Sequence, residues 1–264
     1  MRPAAPILGA RCYARSVAQG ESMPEISAAV RSDLIRNGKL RVGINFGNPL
    51  LTRRDPNPGG IAVDLARELA RRLNVPLEIV SCESAGELAD SASKGTWEVG
   101  FLGAEPQRAN EISFTAPYAH IEATYLVPPG SPFNAVSDVD RAGVRIAISE
   151  KSAYDLYLSR NLKHATLVRA RGGDGAFKLF VSEKLEALAG LKPVLVKDND
   201  KLSGSRLLDG YFSVVQQAAG TPKGHDAGAR YLSVFIEDVK ASGLVAKVME
   251  QNGIRGVSVA PPAR

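Results

Sequence analysis

A chain of 264 residues, with 44% apolar and 23% charged side chains, has the composition of a soluble globular protein and is long enough for one large domain or two smaller ones. The net charge of +5 is spread along the sequence rather than concentrated in basic runs, which argues against a nucleic-acid partner. No apolar segment approaches the roughly 20 residues that a membrane span requires.

The N-terminal segment is basic, but its apolar run is short and interrupted by Pro6, so a secretory signal is not recognisable there. We expect residues 1–23 to be an extension or a disordered tail. Cys12 in this segment and Cys82 at the end of a predicted strand do not predict a disulfide. The histidines are widely separated, and no metal site or cofactor is expected.

The first half of the chain alternates strand and helix patterns. Ile61, Leu65, Leu69 and Leu73 recur every four residues, which predicts a helix with one buried side. The segments predicted around it are a short helix (24–37), a strand in KLRVGINF, a strand (77–82), a helix (84–94) and a strand (98–103). This order is typical of a parallel sheet covered by helices.

A second alternating series follows a strand that runs into prolines near 123–128. Its predicted elements are a strand (144–149), a helix from about Ser152, a strand (165–170), a helix from about 174 and a strand (192–197). An apolar strand near 210–216 and one or two helices end the chain. The second series therefore reads as a lobe inserted into the first.

The resulting fold class is α/β, with two lobes that are each a mostly parallel sheet flanked by helices. The segments near 123–128 and 210–216 would join the lobes as a hinge. The predicted boundaries are a discontinuous first lobe (24–126 and 214–254), a second lobe (127–213) and a C-terminal tail (255–264).

Five stretches carry a family resemblance: LRVGINFGNPLL, GGIAVDLARELARRL, GTWEVGFLGAEPQRANEISFTAPY, GVRIAISEKSAYDLYL and SGLVAKVMEQNG. Over about residues 38–253 the chain resembles the extracytoplasmic solute-binding proteins of ABC importers, in the family that includes polar amino-acid binders. The resemblance implies a type 2 periplasmic binding fold that acts as a monomer, closes on a small solute and delivers it to an ABC permease. It also implies a periplasmic location, with a cytoplasmic one as the alternative.

The resemblance assigns the ligand carboxylate to Arg108, which follows the strand that ends at Gly103. A planar guanidinium offers two parallel donors to a carboxylate, and the contact strengthens where water is excluded. The chain departs from the amino-acid binders in carrying Asn48 in place of an aromatic residue and Asn45 in place of an acid. Leu191 stands near the position of the acid that binds the α-ammonium group.

In the second lobe, the resemblance places the start of the helix at Ser152 and Ala153 beside the ligand, with a hydroxyl from Ser149. A helix N-terminus favours an anion. Lys151 replaces a usual glycine and would add a second cation opposite Arg108, although a solvated loop lysine explains it equally well. Excess positive charge and the missing acid predict a small carboxylate or dicarboxylate as the ligand.

Side chains of the first crossing strand are further candidates. His120 and Glu122 would share a face, as ligand contacts or as a polar pair that stabilises the hinge. Gln216 and Gln217 on the returning strand are weaker candidates, and Tyr118 is expected to pack.

Two other functions stay open. Some relatives of this fold are cyclohexadienyl dehydratases, and Glu122 or His120 would then be the general acid. No nucleophile and base motif accompanies them, so no catalytic residue is assigned. The same fold also serves as a ligand-sensing module inside receptors.

Overall fold

A computed structural model describes residues 25–53 and 57–263 of the protein. The expectations for residues 1–23, including Cys12, fall outside this part. The strands that it describes are β1 (Leu40–Asn45), β2 (Leu77–Cys82), β3 (Val99–Gly103), β4 (Ile112–Phe114), β5 (Ala119–Val127), β6 (Arg145–Ser149), β7 (Thr166–Ala170), β8 (Ala187–Leu191), β9 (Arg206–Leu207), β10 (Ser213–Pro222) and β11 (Val257–Val259). The α-helices that it describes are α1 (Ala28–Leu34), α2 (Ile61–Leu73), α3 (Ala85–Asp90), α4 (Ala153–Asn161), α5 (Gly172–Ser182), α6 (Lys192–Asn199), α7 (Asp226–Ala241) and α8 (Leu244–Gln251).

One continuous sheet runs through the described residues in the strand order β2-β1-β3-β10-β5-β8-β6-β7. Strands β2, β1 and β3 are parallel and belong to the first lobe, and β8, β6 and β7 are parallel and belong to the second. Between them β10 and β5 pair antiparallel, so these are the strands that join the lobes. The expected two-lobed α/β fold is confirmed.

Helix α2 shows how local pattern determines an element. The isoleucine and three leucines of its stripe are fully buried: Ile61, Leu65, Leu69 and Leu73. Asn74 ends the helix in the left-handed conformation (φ 54°), and its N–H donates to the carbonyls of the last turn. The helix therefore packs one apolar face on the first lobe's sheet, as its periodicity predicts.

The segment 192–197, predicted to be a strand, is instead the first part of helix α6. The prediction was wrong because branched apolar residues favour strands, whereas Pro193 fits the first helical turn, where its missing N–H is not needed. The strand is β8, one segment earlier, and every residue of its ALAGL run is buried. Small apolar residues buried on both faces are typical of a strand inside a covered sheet, and β8 lies between β5 and β6.

The C-terminal segment contains a strand where a tail was expected. Strand β11 pairs antiparallel with β5 opposite Ala119 to Ile121. Lys240 Nζ on α7 donates to the carbonyls of Pro117 and Pro261, at 3.2 and 2.9 Å. The end of the described chain is thus held against the first crossing strand.

The apolar core is divided into several clusters. The largest contains Leu40, Leu69 and Phe235 of the first lobe and extends to Ala153 and Leu191 of the second, which also has its own clusters around Ile146 and Phe180. Tyr118 is fully buried and packs edge to face on Phe101, with ring centroids 5.8 Å apart. No helix in the described part of the chain is long and apolar enough to cross a bilayer.

Candidate ligand-binding site

A cavity of about 510 Å³ lies between the two lobes and is called the interlobe cavity below. Its walls include the residues at which four strands end: Asn45 of β1, Gly103 of β3, Ser149 of β6 and Leu191 of β8. Ligands of open α/β sheets bind beyond the carboxyl ends of the strands, in clefts of roughly 300–1,000 Å³. The cavity therefore has the position and the size of a small-molecule site.

Most residues that the sequence assigned to the ligand line this cavity. They are Asn45, Asn48, Gly103, Arg108, Ser149, Ser152 and Ala153. Three others, His120, Glu122 and Lys151, do not line it.

Arg108 is the buried cation of the cavity, in a short 3₁₀ turn after β3, and only 5% of its surface is exposed. Its Nη1 donates to the Gly103 carbonyl at 2.7 Å and its Nη2 to the Lys151 carbonyl at 2.8 Å. Both partners are neutral, and Arg108 forms no ion pair with any described residue. Burial lowers the pKa of Arg108 to about 10, against the opposing charges of Glu105 and Asp90. The side chain is therefore still cationic at neutral pH.

Asn45 and Asn48 shape the first-lobe wall through their own loop. Asn45 Oδ1 accepts from Gly47 N at 2.9 Å, and Asn48 Oδ1 accepts from Leu50 N at 3.1 Å. Because both side-chain oxygens are engaged, the amide NH₂ groups remain as donors on this wall. Such donors suit a carbonyl or carboxylate oxygen.

The start of α4 forms part of the second-lobe wall, but two backbone N–H groups there already donate to side chains of the same segment. Ser152 Oγ caps the helix by accepting from Asp155 N at 3.0 Å, and Asp155 Oδ2 accepts from Lys151 N at 2.7 Å. Asp155 also accepts from Arg169 Nε at 3.0 Å. A carboxylate of the chain thus already lies at this helix end, which weakens the expected use of the end as an anion site.

Lys151 does not supply the second cation that the sequence led us to expect. Its side chain is 62% exposed, and its Nζ pairs with Asp90 Oδ2 at 2.5 Å, outside the cavity. The residue has φ 52°, a left-handed conformation that favours glycine, the residue that the resemblance implies for this position. Only its carbonyl oxygen reaches the site, as the acceptor from Arg108.

The candidates on the first crossing strand, Glu122 and His120, also lie outside the cavity. Glu122 accepts from Lys192 Nζ at 2.7 Å, so it forms a pair with the start of α6. The Nε2 atom of His120 is buried and has no partner among the described residues, and burial together with the charge of Lys240 lowers the pKa of this histidine. Of the two glutamines, Gln217 lines the cavity whereas Gln216 is exposed.

Sequence reasoning missed several polar lining residues, chiefly Tyr154 and Asp198. Burial raises the pKa of the Tyr154 phenol, opposed by the hydroxyls of Ser152 and Ser149. Asp198 was missed because its segment was read as the end of a strand. The charged lining residues as a whole are two arginines and four carboxylates: Arg108, Arg171, Glu83, Glu150, Asp174 and Asp198. The cavity therefore does not have the excess of positive charge that the sequence suggested.

The lobes are in contact around the cavity. Besides the pair between Lys151 and Asp90, Arg160 Nη2 on α4 lies 2.5 Å from Glu105 Oε2 in the first lobe. A methyl group added at Gly86 would lie 2.6 Å from Lys151 Cβ, so these surfaces meet closely. The structure is a closed form in which Arg108 spans both lobes.

Two sets of parallel strands joined in one sheet by two crossing strands, with a cavity at the strand ends between the lobes, define a bilobed solute-binding protein. The family model of the bacterial extracellular solute-binding proteins, family 3, matches residues 40–253, and the chain belongs to this family. No curated protein sequence matches the chain.

Solved structures agree with this fold. A P235GK mutant of ArgBP from T. maritima is 21% identical, with a TM-score of 0.72, and the match covers 86% of this chain and 100% of that one. An amino acid ABC transporter substrate-binding protein from Streptococcus pneumoniae, bound to L-arginine, is 19% identical, with a TM-score of 0.70 and coverage of 89% and 100%. The ancestral amino acid-binding protein AncCDT-1, a precursor of cyclohexadienyl dehydratase, is 21% identical, with a TM-score of 0.70 and coverage of 83% and 97%. At these identities the likeness supports the fold alone.

Proposed function

We propose that the protein captures a small solute bearing a carboxylate in the interlobe cavity and delivers it to an ABC permease outside the cytoplasm. Arg108 anchors the carboxylate. The observation that carries this proposal is a guanidinium that is 5% exposed, lines the cavity and has only neutral carbonyl partners among the described residues.

The physical argument concerns the cost of burying a charge. A cation removed from water without a counter-ion is destabilising by several kcal/mol even when it is hydrogen-bonded. A ligand carboxylate would compensate this charge through the N–H groups that Arg108 does not use, in a site with little water. Since Arg108 already contacts Gly103 and Lys151 in different lobes, the ligand would bind where closure is completed.

The narrower expectation of a dicarboxylate loses its main support. It depended on a second cation, and Lys151 points to Asp90 instead. Leu191, which is 8% exposed, lines the cavity where amino-acid binders carry the acid for the α-ammonium group. The proposed ligand therefore must carry a carboxylate and need not carry an α-ammonium group.

The dehydratase alternative has no support in the cavity, because Glu122 and His120 do not line it. Membership of the solute-binding family favours the transport role over it.

Calorimetric titration of a panel of small carboxylates and amino acids, each paired with its primary amide, tests the proposed function. We expect the best carboxylate to bind at least about 100-fold more tightly than its amide, because the amide leaves Arg108 without a counter-ion. Equal affinity of acid and amide would overturn the proposal.

A further inference from the structure

Asp198 is a buried carboxylate at the second-lobe side of the interlobe cavity, and the function proposed above gives it no role. Its residue exposure is 5%, which makes it the buried anion of the lining as Arg108 is the buried cation. The other lining carboxylates, those of Glu83, Glu150 and Asp174, belong to exposed residues. A buried carboxylate is expected to have a cationic or hydrogen-bonding partner.

One such partner of Asp198 is the ammonium group of Lys201, three residues further along the chain. Lys201 Nζ donates to Asp198 Oδ1 at 2.7 Å, and the lysine side chain is 54% exposed. Lys201 does not line the cavity, so it approaches Asp198 from the solvent side. The other oxygen, Oδ2, accepts no hydrogen bond from any described residue, which leaves it as an acceptor for the cavity.

Helix α6 carries Asp198 on the face that lines the cavity. Val194, Leu195 and Asp198 are lining residues at spacings of three and four, and Leu191 immediately precedes the helix. At 1.5 Å per residue, Asp198 lies about 10 Å along the chain axis from Leu191. Leu191 pairs with Ala123 of the crossing strand β5. Leu191, Val194 and Leu195 thus form an apolar wall between the crossing strand β5 and the Asp198 carboxylate.

An electrostatic interaction between Asp198 and Tyr154 is a second indication that Asp198 belongs to the site. The charge of Asp198 contributes to raising the pKa of this phenol, which lines the same cavity. Asp198 is therefore within electrostatic reach of the α4 wall of the cavity.

We propose that Asp198 is a specificity-determining residue that accepts a distal ammonium or guanidinium group of the ligand. This inference rests on the proposed function, since Arg108 holds the carboxylate at the other end. The ligand class is then a carboxylate joined through an apolar spacer to a cation, such as an ω-amino or ω-guanidino acid. An α-ammonium group next to the carboxylate would meet Leu191 and would weaken binding.

The test is calorimetric titration of ω-amino acids from 4-aminobutyrate to 6-aminohexanoate, each beside the fatty acid in which a methyl group replaces the ammonium. We expect the best ω-amino acid to bind at least about tenfold more tightly than its fatty acid, since a hydrogen bond between an ammonium group and a buried carboxylate is stronger than a neutral one. Asp198→Asn should abolish this preference while leaving fatty-acid affinity unchanged. Lysine should bind less tightly than 6-aminohexanoate.

Lys201→Met is the control for Asp198→Asn, because it should change the preference for the ω-amino acid in the opposite direction. It removes the competing cation from Asp198 and should increase the preference for the ω-amino acid, by about threefold or more. Thermal unfolding of both variants checks that the fold is intact, and the fatty-acid titration checks the remainder of the site.

Three outcomes would overturn this inference, and they leave the proposed carboxylate anchor distinguishable from it. If ω-amino and fatty acids bind equally and Arg108→Met weakens both, the carboxylate anchor stands and the role of Asp198 is refuted. If Asp198→Asn weakens both ligands alike, the residue is structural and the inference is also refuted. If neither ligand series binds while another carboxylate does, the proposed class is wrong.

Discussion

Two kinds of cation connect the lobes, and their environments differ. Arg108 is buried and donates to neutral carbonyls, whereas Lys151 and Arg160 have side chains that are 62% and 40% exposed and pair with carboxylates of the first lobe. Exposed pairs contribute about 0–1 kcal/mol each and are screened by salt. A buried cation without a counter-ion is destabilising until one arrives. The contrast separates the exposed ion pairs between the lobes from Arg108, the cation that we propose binds the ligand carboxylate.

The largest effect is expected from Arg108→Met. Ligand affinity should fall at least about 100-fold, because the carboxylate then loses its only buried cation in the described cavity. The ligand-free protein should unfold at an unchanged or higher temperature, since a buried charge without a counter-ion has been removed. Arg67→Met, on the exposed side of α2, is the control and should bind like the parent. Affinity within threefold of the parent would contradict the contrast drawn above.

A smaller effect is expected from Gly86→Ala. This variant tests whether the close contact between Gly86 and Lys151 is also present when the ligand is bound. The added methyl group would lie 2.6 Å from Lys151 Cβ and 2.9 Å from its Cδ. We expect about tenfold weaker binding, because closure must displace the lysine.

Lys151→Gly in the Gly86→Ala background should restore affinity, since it removes the clash and relieves the positive φ at this position. Unchanged affinity in Gly86→Ala, measured by calorimetry, would mean that the bound lobes are further apart than described here.

The exposed interlobe pairs should matter least among the cations. Lys151→Gln and Arg160→Gln should each weaken binding by less than about threefold at low salt, and the difference should vanish in about 1 M salt. Titrations at two salt concentrations measure this. A loss as large as that of Arg108→Met would show that the exposed pairs, rather than Arg108, control capture.

The pH dependence should be nearly flat over the physiological range. The pKa of Arg108 lies near 10, so the cation persists below that value and affinity should fall only as pH rises through it. His120 lies outside the cavity, so no inflection is expected between about pH 6 and 8, where histidines titrate. Titrations from about pH 5 to 10.5 check both statements, and an inflection below pH 6.5 would implicate His120, whose pKa is lowered by burial and by the charge of Lys240.

Much of the fold could be predicted because its signals are local. The stripe from Ile61 to Leu73 and the strands β1 to β3, of which β1 and β3 are mostly buried, follow from periodicity and composition alone. The helix α6 could not be read this way, since its branched residues mimic a strand, and Asp198 was missed with it. The direction of Lys151 depends on Asp90, 61 residues away, and β11 depends on a partner strand far along the chain. Such long-range pairings leave no local pattern.

A crystal structure with the tightest-binding ligand would test the central claim most directly. The account predicts both ligand carboxylate oxygens within about 3 Å of Arg108 guanidinium nitrogens. It would be contradicted by a ligand that sits in the interlobe cavity with its carboxylate on another group, or by a guanidinium turned to open solvent.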